Sequence, residues 1–507
     1  MVTSRVAFVD ATLANQLDLV DSLSDAALSD AAAGGASEAS VRIEEIRTQT
    51  LVLRDGVVET TLDQVESGLG VRVIAEGSSG FAATVELGRD AAALVARQAI
   101  EGARLVAPAR NTRFELVNEP GHGEVEYSST FRTDPTTVAM TDKIALLEEW
   151  SRKLLAARGV THVTAELRAV SEFKRYADSA GTVARQRRVR IHPVFEVVAV
   201  SDEGDFETMR TLAPPVGRGW EYLEGDGWDW QSELAALPEL LTQKLASPSV
   251  ASGSYDLVID PTNLWLTIHE SIGHATELDR ALGYEAAYAG TSFATPDRLG
   301  SLQYGSAVMQ VTGDRTVEHG LATIAIDDEG VDGQRFDLIR DGVLVGFQLD
   351  RSVASIAGAE RSNGCAFADS PLHVPIQRMA NVSLQPAPKG PTTDELISGV
   401  ARGLFVEGNN SWSIDMQRYN FQFTGQRFWL IEHGRITGQV RDAAYQATTT
   451  DFWGSMEAVG GPTTYLLNGA FNCGKAQPGQ VAAVSHGAPS ALFRSVKVLN
   501  TKAESGR

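Results

Sequence analysis

The chain has 507 residues, 43% hydrophobic and 21% charged, proportions that exclude a disordered or fibrous protein and leave room for two or three domains with large cores. The net charge is −21 and the Lys and Arg residues are scattered, so the electrostatic footprint of direct nucleic-acid binding is missing and the charge reads as solubility. Only two cysteines occur, which suits a reducing compartment and leaves Cys365 and Cys473 each as a free thiol or a metal ligand.

At the N-terminus, Asp10, Asp18 and Asp21 fall where an export signal needs an apolar run, and nowhere do about 18 apolar residues follow one another; a cytoplasmic protein with no membrane span is expected. Residues 11–33 are rich in Ala and Leu at helical spacing and run into a loop at Gly34, Gly35, Ala36 and Ser37. Residues 49–62 form two alternating runs about Arg54, Asp55 and Gly56, which predicts a hairpin. Helices are predicted at 90–107 and 141–157, the second capped by Thr141 and stopping near Gly159, with strands between them, among them 188–200. A Gly- and Trp-rich stretch at 216–230 breaks the periodicity, a helical segment follows at 232–247, and the domain boundary is placed near residue 246. Beyond it, hairpins are predicted at 337–349 about Asp341 and Gly342 and at 427–440 about His433 and Gly434, as parts of meandering antiparallel strands. The expected fold class is α+β: an N-terminal mixed domain (1–245), then a β-rich C-terminal domain (246–507) carrying one long helix.

That helix carries the chemistry. Asp260 can cap it, Pro261 suits its first position, apolar residues follow at Leu264, Ile268, Ile272, Ala275, Leu278 and Leu282, and Gly283 closes it. Inside lies H-E-x-x-x-H, with His269, Glu270 and His274, one residue longer than the usual zincin spacing. Positions five apart in a regular helix are separated by about 140° and cannot converge on one ion. The spacing therefore predicts a π-type bulge, with Gly273 as the residue that makes room for it. Without a metal, Glu270 and His274 are neighbours on an ordinary helix face and His269 is a core histidine. A catalytic zinc takes three protein ligands and keeps one position open. Spacing leaves the third ligand open among Glu277, Asp279, Glu285, His319, His433, His486, Cys365 and Cys473, the last in a Gly-flanked segment that reads as a loop. Asp327 and Asp328 read as a solvated turn, and His486 as a loop histidine outside the site.

The string HESIGHATELDRALGYEAAYAGTSF at 269–293, DDEGVDGQRFDLIRDGVLVGFQLDR at 327–351, RSNGCAFAD and IQRMANVSL between 361 and 384, and NCGKAQPGQ at 472–480 occur in an order that resembles the TldD/PmbA family. Residues 52–84 resemble its N-terminal domain, so the likeness runs over nearly the whole chain. It implies that His269, His274 and Cys473 bind zinc, that Glu270 is the catalytic base, and that the chain is of the zinc-bearing TldD type rather than the PmbA type, which lacks the histidine motif. It also implies a metallopeptidase acting on unfolded or flexible peptides held by strand pairing, in a dimer with a PmbA-like chain or with itself. The run after Lys475, AQPGQ, departs from many members, which bears on the substrate groove. A thiolate beside two neutral imidazoles would leave net positive charge at zinc to polarise a carbonyl and activate water, with Glu270 accepting the proton. Two other classes stay open: a non-catalytic subunit holding zinc structurally, and a zinc hydrolase of non-peptide bonds.

Overall fold

The computed structural model describes residues 12–109 and 111–504; Asp10 and residue 11 of the first expected helix lie outside them. The first half is built on one seven-stranded sheet. Its strands are β1 (Glu38–Arg54), β2 (Val57–Ala75), β3 (Ser78–Thr84), β4 (Gly123–Ser128), β5 (His162–Asp178), β6 (Thr182–Val200) and β7 (Phe206–Arg210). They run β3-β2-β1-β5-β6-β4, with β7 also on β6. The hairpin expected about Asp55 and Gly56 is present, with far longer arms than 49–62.

Strand alternation gives this sheet two different faces. Val41 and Ile43 of β1 face a core with α1 (Leu17–Ala33) and α2 (Arg89–Val106), while a second core is closed by α3 (Met140–Leu155) and α4 (Trp230–Ala246). Residues in the other phase, Arg42, Glu44, Glu172, Lys174, Arg188 and Arg190, are also buried, because the second half of the chain covers them. Asp328 reaches across to Lys174 at 2.7 Å and to Arg42 at 3.5 Å. The solvated turn expected at Asp327 and Asp328 is therefore wrong: both are buried. Asp327 accepts the N–H groups of Glu329, Val331 and Ala366. The cap expected at Thr141 is also corrected. Thr141 lies inside α3, and Ala139 at the cap position makes no side-chain bond.

The second half has a seven-stranded sheet of its own, ordered 402–414, 253–259, 491–500, 443–448, 420–432, 435–440, with 456–459 on 491–500. Pairing of 402–414 with 420–432 closes five of these strands into a ring. The meander is not wholly antiparallel, since 402–414 runs parallel to 253–259. The hairpins about Asp341 and His433 are present, the first with a second arm of only Val343–Leu344. The expected boundary at residue 246 falls at the end of α4, between the two sheets.

Candidate metal centre

The strand 253–259 delivers the chain to Asp260, whose carboxylate accepts the Thr262 N–H, and Pro261 opens α5 (Pro261–Ile268). From His269 to Gly273 the helix widens into a π turn, with the His274 N–H donating to the His269 carbonyl five residues back. This extra residue turns the two imidazoles toward each other, their centroids 4.7 Å apart. Backbone carbonyls loosened by the irregular turn find side-chain donors. Thr276 Oγ1 donates to Ile272 O, Gln348 Nε2 to Gly273 O at 2.7 Å, and the Tyr304 hydroxyl to Ser271 O. Gly273 has ordinary right-handed angles, φ −52° and ψ −61°. A Cβ there would lie 2.5 Å from Met379 Sδ, so any larger residue would require that side chain to move. The single helix expected as far as Gly283 is also corrected: it breaks at Glu277, where ψ is 116°, and resumes only for Leu278–Ala281.

Cys473 does not sit in a loop. It lies on the strand Leu466–Lys475, paired with Gln480–Ala488. A bulge between Ala470 and Cys473 shifts the register just before the thiol, a common device for re-aiming a side chain. Its Sγ lies 3.6 Å from His274 Nε2, and one ligand atom from each of His269, His274 and Cys473 falls within 4.8 Å of the others, all three residues buried. For zinc at about 2.0–2.1 Å from nitrogen and about 2.3 Å from sulfur, a tetrahedral N···S edge is about 3.6 Å.

The surrounding hydrogen bonds fix which ring nitrogens are bare. His486 Nδ1 lies 2.9 Å from the Val382 carbonyl, which can only accept, so Nδ1 carries the proton and Nε2 of the neutral ring is an acceptor. His269 Nδ1, 2.7 Å from that Nε2, must then be the donor, and its own Nε2 is left with a free lone pair. His274 Nδ1 donates to Glu277 Oε2 at 2.8 Å, which bares its Nε2 in the same way. Burial keeps the rings neutral: His274 is pushed down to about 3 and His486 to about 4, and His269 lies well below its ordinary value through burial and the neighbouring His274 and His486. Burial lifts the Cys473 thiol to about 11, against the nearby Arg378. Two neutral imidazoles with outward Nε2 lone pairs and one thiol fit a zinc site with an open fourth position.

Of the other ligand candidates, Glu277, Asp279 and Glu285 gather around the buried Lys475 at 3.1, 2.8 and 3.8 Å. Burial would raise Glu277, but Lys475, His274 and Arg280 outweigh it and hold the carboxyl well below its usual range. Cys365 is buried in a separate place, its thiol raised to about 12 by burial, with Arg315 its strongest opposing charge. His319 contacts the Gly217 carbonyl and His433 is an exposed turn residue. Glu270, buried beside the ligand cluster, is raised by burial against the pull of Arg418, whose Nη1 lies 2.6 Å from its Oε2. The reading of His486 as a loop histidine is corrected: it is fully buried on a strand, stacked on Trp265 and bonded to His269. Its distance from His269 along the chain gave no signal. Lys475 left none either, because the segment around Cys473 reads as a loop and the alternation that puts both on one face belongs to the strand found in the structure.

Two family models match the chain, one described as the PmbA/TldA metallopeptidase C-terminal domain over residues 252–500, the other as PmbA/TldA metallopeptidase domain 1 over residues 39–103. A protein named "Metalloprotease" from Methanothermobacter thermautotrophicus is 25% identical over 91% of this chain and 95% of its own length. A "Zinc metalloprotease TldD homolog" from Saccharolobus solfataricus is 25% identical over 60% of this chain and 63% of its own. Among solved structures, TldE from Thermococcus kodakarensis superposes with a TM-score of 0.68 at 15% identity, over 95% of this chain and 99% of that one, a likeness of fold.

Proposed function

Because the chain belongs to the TldD/PmbA family of metallopeptidases, we propose that it is a zinc-dependent peptidase that hydrolyses unfolded or flexible peptides, with His269, His274 and Cys473 as ligands and Glu270 as general base. The observation that carries this reading is the convergence of a ring nitrogen from each of His269 and His274 with the Cys473 thiol in a buried cluster, with a carboxylate of raised proton affinity beside them. Zinc, when bound there, supplies a Lewis acid that polarises a peptide carbonyl and lowers the pKa of water. The remaining work falls to the chain. Glu277 and His486 orient the imidazoles, and burial excludes bulk water from around them. Glu270 takes a proton from the attacking water and returns it to the leaving amine, a role that suits a carboxyl raised by burial. The dimer expected from the family, with a PmbA-like chain or a second copy, belongs to the same proposal.

Glu270→Gln tests the assignment. It should keep the zinc content of the wild type and lose at least about 100-fold in cleavage of an unfolded reporter peptide. Normal zinc with wild-type cleavage would sink the assignment of Glu270.

A further inference from the structure

Glu270 is gripped by a single hairpin formed by strands 402–414 and 420–432. Asp415 organises its tip: Oδ1 accepts the N–H groups of Gln417 and Tyr419, and Oδ2 accepts that of Asn420. The tip is also docked from outside, because the N–H groups of Thr291 and Phe293 donate to the carbonyls of Met416 and Gln417 and the Thr449 hydroxyl donates to that of Arg418. Together these contacts hold Arg418 at φ +62°, a conformation an arginine rarely adopts, and its guanidinium reaches Glu270. Nη1 takes the carboxylate, while Nε is buried with no acceptor among the described residues. Trp412 of the same hairpin is 54% exposed.

We propose that Arg418 is a catalytic residue of this site, pairing with Glu270 while that carboxylate is charged and stabilising the oxygen of the tetrahedral species once Glu270 has taken the water proton. This rests on the peptidase reading. In that step the water oxygen bonds to the scissile carbonyl carbon, the carbonyl π pair moves onto its oxygen, and the proton goes to Glu270. The negative charge thereby leaves the carboxylate and appears on the tetrahedral oxygen, and the guanidinium fixed beside that carboxylate is the group that can follow it. When the C–N bond breaks, the proton passes to the amine nitrogen, the oxygen's electron pair restores the carbonyl, and Arg418 pairs with Glu270 again.

The test compares wild type, Glu270→Gln, Arg418→Ala and Arg418→Lys for zinc content, for kcat and KM on an internally quenched peptide, and for calorimetric binding of a phosphinic analogue of that peptide. Arg418→Ala should keep its zinc, lose about 100-fold or more in kcat with little change in KM, and bind the anionic phosphinic analogue more weakly by a similar factor. Arg418→Lys should recover part of both losses, and added guanidinium should restore part of the Ala variant's rate. If Arg418→Ala fails to fold, Arg418→Gln carries the same comparison. Wild-type cleavage that is lost in Glu270→Gln but retained within about threefold in the folded Arg418 variant would overturn the proposal alone. Retained affinity for the phosphinic analogue despite a lost rate would also overturn it. No cleavage by the wild type would overturn the peptidase reading and the proposal with it.

Discussion

His486 lies outside the expected ligand set, yet its bond to the Val382 carbonyl decides which nitrogen of His269 is bare. Removing that acceptor frees the His269 ring to rotate and to take the other tautomer. His486→Phe should therefore weaken zinc binding about 10–100-fold, and His486→Gln, whose amide oxygen can still accept, should lose less. Competition with a chelator of known affinity would measure this, and unchanged affinity in the Phe variant would remove His486 from the account. The H-E-x-x-x-H string was legible because two histidines five apart make sense as partners only if the helix deforms. His486 and Arg418 were not legible, since their roles come from contacts spanning 217 and 148 residues. Nothing in their own neighbourhoods distinguishes them from an ordinary strand histidine or turn arginine.

Along the elements, the start of α5 was readable because a cap, a proline at the first position and an apolar stripe are local signals. Its break at Glu277 was not, because Lys475, 198 residues away, joins the neighbouring Arg280 in holding that carboxylate against His274. The short helix Arg351–Ala357 shows the same contrast. Its cap, Asp350, accepts the Val353 N–H at 2.8 Å, an ordinary capping role, but burial and the nearby Glu329 raise its carboxyl to about 7. Folding thus keeps it protonated over a range in which the unfolded chain, near 3.9, ionises it. Its contribution to stability is fully present below about pH 3.9 and is lost as pH rises through about 7. Asparagine keeps the cap and cannot ionise. Asp350→Asn should therefore gain stability over wild type between about pH 4 and pH 7, reaching on the order of a few kcal/mol. Urea denaturation at pH 5 and pH 8 checks this, and an equal effect at both values would contradict it.

The two halves of the molecule meet at a buried interface of charge, which composition could not reveal because acidic residues are usually solvated. Lys174 sits among Glu44, Glu172 and Asp328, and Arg351 pairs with Glu38 across the two halves. Replacing Asp328 by Ala leaves Lys174 and Arg42 short of a buried partner. It should cost about 3–5 kcal/mol, seen as a lowered thermal midpoint, and a shift smaller than that of a surface substitution would contradict the role. The α+β class and the two-part layout were legible from periodicity and turn residues. The closed ring of strands and the covered charged face were not, since both depend on pairings between distant segments. Zinc content measured together with cleavage of an unfolded peptide, for the wild type and Cys473→Ala, with and without a PmbA-like partner chain, tests whether these residues form one assembled site. About one zinc per wild-type chain and cleavage are expected, with both lost in the variant; a fully loaded, fully active Cys473→Ala protein would rule the thiol out as a ligand.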